Sequence, residues 1–424
     1  MKYPNMYRIR QVLEAPRVKN IEAQIDIELA TIQAHTRIHS GARIGITAGS
    51  RGVAAIDRVI KHLVQALKSY GACPFIFPAM GSHGGGTAKG QLEVLESLNI
   101  TQETMGAPIL SSMEVVEIGR SSHDYPVYVD QNATKADGIV VVNRVKPHTD
   151  FNGPIESGLM KMMAIGMGKH KGCIEIHKQT VNYGYHNIIP EYGQIVLNAL
   201  PVVFGVGIVE NAYEQVACLK AVLPDNIRNE EEKLLVNAKQ LMGKLPMDQI
   251  DILIVDEIGK NISGTGMDTN VIGRIMFIGG KEPETPKISR IIALDLTRET
   301  HNNACGIGLA DYTTSRLVNK IDFKATAINT MAGSSPEKGR IPIAFDTDKE
   351  VLEGALNTIG AIDPVNARIV HIKNTLEIVE MEVSASLLPE LEGRDDIENC
   401  LEMGPLEFDE RGLFHPVGSP ANIC

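Results

Sequence analysis

The sequence predicts an α/β protein: two α/β domains, the first with a mostly parallel sheet, and an active-site cleft between them. Three observations carry that expectation. Short β-rich runs alternate with helical periodicity through the first half of the chain. A second series of β-rich runs starts after residue 247. The 424 residues are too many for one core at roughly 150 residues per domain. The expected division is 1–246 for an N-terminal α/β domain, 247–391 for a C-terminal α/β domain closing over a ligand, and 392–424 for an acidic tail packing back on the first domain.

In chain order, a helix is expected over 21–34, and ARIGIT (42–47) reads as a strand that breaks at AGSRG. Ile56, Val59, Ile60, Leu63, Val64 and Leu67 then fall on one helical face, with Gly71 placed to end that helix. CPFIFPAM (73–80) is the next strand. Strand, helix, strand at this spacing is a crossover between parallel strands, so AGSRG and GSHGGGT lie on one carboxyl edge of the sheet. A helix over 91–98 follows, and ADGIVVVNRV (136–145) is a buried strand running into Lys146, Pro147 and His148. Past residue 200 come the apolar run PVVFGVGIVE, a charged helix over 228–242, and GKLPM, whose glycine and proline mark a boundary. The second domain opens on DILIVDEIG, and RIIALDL, RIPIAF, ARIVHI and EIVEMEVS supply further strands. Its loop GKNISGTGMDTN (259–270) is too polar and glycine-rich for a core.

Composition narrows the function. With 43% hydrophobic and 22% charged residues, a net charge of −11 and a pI near 5.6, the chain reads as an ordinary globular protein, with neither nucleic acid nor a membrane surface expected as partner. No apolar run reaches the roughly 18 residues of a membrane span, and a cytoplasmic location is expected. Six scattered cysteines without a CxxC pair argue against a disulfide framework or a structural zinc site.

Open α/β sheets bind ligands beyond their strand ends. Three loops meet there: Ala48, Gly49, Ser50 and Arg51; then Ser82, His83 and three glycines from Gly84 to Gly86; then Lys146 and His148. Such glycine-rich turns let backbone amides approach an anion, although neither GxGxxG nor GxxxxGK[ST] occurs. The stretch 146–178 gathers most of the reactive side chains. Lys161 is the only charge between Glu156 and Lys169, in an otherwise apolar GLMKMMAIGM. Burial disfavours an ammonium and leaves a nucleophilic amine; the alternative is a lysine whose stem packs while its head reaches water. IEIH (174–177) alternates apolar and polar, which as a strand sets Glu175 and His177 on one face. His177 is then a candidate metal ligand, with His170 and Cys173 as competitors.

The order SHGGG, KPH, a glycine-framed lysine, and a histidine 16 positions beyond it resembles the nickel-dependent lactate racemase family over nearly the whole chain. The resemblance implies a nickel-pincer nucleotide tethered through Lys161, with His177 and the Lys161 tether serving the nickel. It implies His83 and His148 as acid/base residues on opposite sides of the substrate, and 48–51 as the loop that contacts cofactor and substrate. The implied reaction is racemisation or epimerisation of a 2-hydroxy acid by hydride transfer through a 2-keto acid. Histidine, with an ordinary pKa of about 6.5, suits a base on one face and an acid on the other.

Arg51, Lys260 and Arg274 are the loop cations expected to meet the substrate carboxylate. Asp268 and Asn270 keep part of the family's Asp-x-Asn-Leu-Tyr-Gln pattern in the second domain, whereas Val271, Ile272 and Gly273 replace its last three positions. A substrate larger or more polar than lactate is therefore expected. Two readings stand against this one: an NAD-dependent dehydrogenase, which should show GxGxxG, and a non-catalytic binding protein for an anionic metabolite, which needs the glycine loops but not Lys161.

Overall fold

The computed structural model describes residues 1–50, 52–277 and 281–419. The chain divides into two units, Glu14–Met242 and a second that joins Met1–Leu13 to Gly243–Cys424. The opening strand β1 (Asn5–Gln11) therefore belongs to the second unit.

The Glu14–Met242 unit is built on a five-stranded sheet. Its strands are β2 (Arg43–Ala48), β3 (Cys73–Pro78), β6 (Gly138–Arg144), β7 (Val202–Glu210) and β8 (Val216–Val222), in the order β3-β2-β6-β7-β8. The first four run parallel and β8 is antiparallel to β7. A separate hairpin pairs β4 (Val115–Arg120) with β5 (Pro126–Asp130). β2 is buried at every position after Arg43, the mark of a parallel strand covered on both faces. Helix α1 (Ile21–Thr31) starts where Asn20 accepts the Ala23 amide. Helix α2 (Ile56–Ser69) buries all six residues of its expected face, each contributing roughly 1.5–3 kcal/mol. Helix α3 (Ala88–Ser97) is capped by Thr87. The parallel order places the ends of β2, β3 and β6, at Ala48, Pro78 and Arg144, on one edge of the sheet, as the crossover predicts.

One local expectation is corrected. IEIH is not a strand: it lies inside helix α4 (Lys169–Tyr183), which is followed by α5 (Tyr185–Ala199). Four alternating residues are too short a pattern to outweigh the helical phase around them. Lys169, Gly172, Cys173, Ile176, Gln179 and Thr180 are the buried positions, at spacings of three and four. The unit closes with α6 (Ile227–Leu241).

The second unit carries an eight-stranded sheet. It comprises β1, β9 (Gln249–Ile258), β10 (Lys287–Leu296), β11 (Tyr312–Thr314), β12 (Ile343–Phe345), β13 (Ile369–Ile372), β14 (Glu380–Ser384) and β15 (Ile397–Pro405). The order is β12-β11-β10-β9-β13-β14-β1-β15, parallel from β12 to β13 and antiparallel from there on. β1 is held on β14 by cross-strand charge pairs, Arg8 opposite Glu382 at 2.9 Å and Arg10 opposite Glu380 at 3.5 Å. The segment expected as a tail on the first domain contains β15, which pairs with β1 in this sheet. Among the described residues no helix is long and apolar enough to cross a membrane. The five cysteines among them are free.

Candidate functional site

The site forms where the loops after β2, β3 and β6 meet the stretch from Gly158 to Gly166. A single α-helical turn (Leu159–Lys161) runs there into a π-helical stretch (Met162–Gly166), closed by the bond from the Met167 amide to the Met162 carbonyl. Such π-stretches are rare and concentrate at functional sites. Gly166 permits a close approach: a Cβ there would stand 2.5 Å from the Ala79 carbonyl oxygen, and its own carbonyl accepts the Gly81 amide at 3.1 Å. Gly49 faces Met162, whose Cε would lie 3.4 Å from an added Cβ. Asn143, near the end of β6, donates to the Gly158 carbonyl at 2.7 Å. Gly49, Ala79, Gly81 and Asn143 are thus packed onto the segment that carries Lys161.

His148 and Lys161 are in contact, Nε2 to Nζ at 2.5 Å. Nδ1 of His148 accepts the Asp150 amide at 3.0 Å, so Nε2 is the nitrogen turned to the lysine. The contact places a single hydrogen between the two nitrogens, with the amine and the imidazole as alternative donors. The loop bearing His148 is pinned by Glu156, which is fully buried and accepts the His148 amide at 2.6 Å and the Gly153 amide at 3.0 Å. Lys239 of α6 pairs with the same carboxylate at 2.5 Å.

Aromatic rings pack beside His148. Phe151 stacks on Tyr185 with centroids 4.9 Å apart and planes 10° from parallel, and His148 lies 4.5 Å from Phe151. Tyr185 Oη meets His177 Nδ1 at 2.8 Å. Burial first, then the positive charge of Lys161, push His177 down to about 4, against a smaller upward pull from Asp150. His177 is therefore a neutral imidazole at neutral pH, the form that binds metals. Burial pushes the Cys173 thiol up, opposed by Ser82 and Lys161; its Sγ lies 3.8 Å from Ser82 Oγ.

His83 is exposed at the start of the glycine turn, with its carbonyl 3.4 Å from Gln91 Nε2. His170 is also exposed, and its ring packs against Gly86. Arg51 lies outside the described residues. Sequence reasoning missed Lys169, which is fully buried, with Nζ 2.5 Å from the Pro78 carbonyl, 2.9 Å from Gln91 Oε1 and 3.0 Å from Asp130. Gln91 Nε2 in turn reaches the Gly81 carbonyl at 3.0 Å, so this lysine anchors the loop after β3. Glu231 was missed as well. It sits at a core phase of α6 with Leu234, Leu235 and Ala238, and a charge at such a position is the signal that marks it.

The second-unit candidates make contacts inside their own unit. Asp268 caps the turn Thr269–Ile272 by accepting the Asn270 amide at 3.0 Å, and Asn270 Nδ2 binds the same oxygen. Lys260 Nζ donates to the Gly264 carbonyl at 2.8 Å. Arg274 is held by the Leu309 carbonyl at 2.8 Å and Asp311 at 2.9 Å, which spends its fork inside the unit. Ile272 is fully buried, so it acts on the loop's packing.

Among the described residues no group of three or more His, Cys, Asp or Glu converges to hold a metal. The model of the lactate racemase N-terminal domain family matches residues 11–187. No curated protein matches the chain. Among solved structures, the lactate racemase apoprotein from Thermoanaerobacterium thermosaccharolyticum is similar at 12% identity and a TM-score of 0.51, over 87% of this chain and 94% of that one. A protein from Thermotoga maritima aligns at 14% identity and a TM-score of 0.49, over 77% and 84% of the two chains.

Proposed function

We infer that this chain, a divergent relative of the lactate racemases through its residues 11–187, is a 2-hydroxy-acid racemase or epimerase that works with a tethered nickel-pincer nucleotide. The observation that supports this reading best is the contact between His148 and Lys161, with His177 alongside, on the carboxyl edge of a parallel sheet. A metal group that carries most of its own donors fits a site offering one neutral imidazole and one amine.

Lys161 would hold the nucleotide through its amine, and His177, turned by Tyr185 at Nδ1, would offer Nε2 to the nickel. When bound, that group supplies the hydride acceptor and donor. The protein's own residues supply the rest. His148, its ring set by the Asp150 amide, moves the hydroxyl proton on one face of the substrate, and His83 serves the other. Phe151 and Tyr185 pack beside the His148 ring and keep water from that side of it. By the same resemblance Arg51, and in the second unit Lys260, Asp268 and Asn270, are the candidates for the substrate's polar groups, and the replacement of an aromatic and an amide by Ile272 and Gly273 favours an acid larger or more polar than lactate.

The test is expression alongside cofactor biosynthesis, with intact-mass and peptide-mass analysis. One nucleotide-sized addition carrying nickel and sulfur is expected on the Lys161 peptide, together with inversion of a single-enantiomer hydroxy or sugar acid in deuterium oxide. Fully active protein with an unmodified Lys161 would overturn the proposal, and so would lactate emerging as the best substrate by a wide margin for its substrate part.

A further inference from the structure

Helix α6 lies far along the chain from His148 and Lys161, yet it sends one side chain toward the backbone beside each: a fully buried Glu231 and a half-buried Lys239. Glu231 is fully buried, and its Oε2 accepts the Met160 amide at 2.8 Å, one residue before Lys161. Its other oxygen, Oε1, has no hydrogen-bond partner. Gly158 makes room for it: a Cβ there would stand 2.2 Å from Oε1. Eight residues further on, Lys239 reaches Glu156, which holds the amide of His148. The two side chains leave α6 within about 80° of each other around its axis. A buried acid with an orphaned oxygen adds little stability by itself.

We propose that α6 is the positioning element of the site: Glu231 sets Lys161 through the Met160 amide, and Lys239 sets His148 through Glu156. One helix thereby fixes both partners of the 2.5 Å contact. The inference rests on reading that pair as the working centre, not on the reaction they carry out. Glu231 and Lys239 are positioning residues, since each acts through another group, the Met160 amide and the Glu156 carboxylate. The Glu231 carboxyl, which burial pushes up to about 8, is consistent with a side chain held for its acceptor oxygen rather than its charge.

The test uses the full chain and two readouts that need no substrate: amide hydrogen exchange by segment, and the imidazole nitrogen resonances of His148 in protein labelled at histidine. Glu231→Ala and Gly158→Ala are expected to speed exchange over 159–166 on the order of ten-fold and to move the His148 Nε2 resonance, with the rest of the unit still protected. Lys239→Met should loosen 146–153 and move the same resonance while sparing 159–166. Glu231→Gln keeps an acceptor for the Met160 amide and should match the wild type, as should Lys233→Ala on the exposed side of α6. Uniform loss of protection across Glu14–Met242, an unmoved His148 resonance, or a Gln variant as loose as the Ala variant would overturn the proposal. If Glu231→Ala does not fold, Gly158→Ala and Lys239→Met decide it with the carboxylate in place. Wild-type protein that turns over no hydroxy acid would end the functional reading and leave these readouts as they stand.

Discussion

Replacing Lys169 by Met tests whether one buried cation holds the loop after β3. The wild-type ammonium has no exposure and meets Asp130, the Pro78 carbonyl and Gln91. Burial pushes the lysine down and the aspartate up, and their mutual attraction opposes both shifts. Met fills most of the volume, and at the left-handed φ of 54° it is strained as much as Lys, so backbone conformation drops out of the comparison. What remains is an uncompensated Asp130 and two unpaired acceptors. Removing one partner of a buried ion pair costs about 3–5 kcal/mol, and the stranded carbonyl groups put the expected loss at about 4 kcal/mol or more. Asp130→Asn added to the Met variant keeps the cap on the Asn132 amide and removes the buried charge, so it should recover at least half of that loss. Equilibrium urea unfolding followed by circular dichroism measures both, and hydrogen exchange over 79–87 localises the effect. A single-variant loss below about 1 kcal/mol, or a double variant no better than the single, would refute the anchoring role.

Three further outcomes are expected. Burial alone would lower His371, but Asp256 at 2.6 Å and Glu382 at 3.5 Å outweigh it and hold the imidazole up at about 9, above its ordinary 6.5. The stability it contributes is therefore complete below about pH 6.5 and lost as pH rises through about 9; His371→Gln should flatten urea midpoints across that window. Glu231, raised from 4.5 to about 8 by burial, contributes stability that is present below about pH 4.5 and lost as pH rises through 8. Glu231→Gln should remove that slope, and a slope unchanged between pH 5 and 8.5 would show the acid titrating normally. Finally, His177→Ala should lower nickel retention, while His83→Ala and His148→Ala keep the nickel and lose turnover; equal nickel loss in all three would contradict the division of roles.

Much of the first unit was legible because its signals are local. The face of α2 and the apolar run of β6 each fit within one window of sequence, and the crossover rule converts two strands and a helix into a shared edge. What was missed depends on partners far apart. Glu156 and Lys239 are 83 positions apart, and Glu231 and Met160 are 71 apart, so no periodicity relates them. Lys169 looked like one more basic residue in GMGKHK, because only the fold brings Asp130 and Gln91 around it. IEIH shows the opposite failure, a four-residue alternation read without the helix on either side. β1 and β15 escaped notice because charged side chains interrupt their apolar pattern, and those charges find their opposites on neighbouring strands.

The place of β1 between β14 and β15 dictates an order of events during synthesis. Arg8 and its partner Glu382 are 374 positions apart. At 5–20 residues per second, β1 leaves the ribosome roughly 20–75 s before the strands that flank it exist. The unit from Glu14 to Met242 has all its own strands long before then and can finish folding on the nascent chain. Within its own sheet the strand made earliest is among the last to be placed, since both of its neighbours, β14 and β15, are made after every other strand of the sheet.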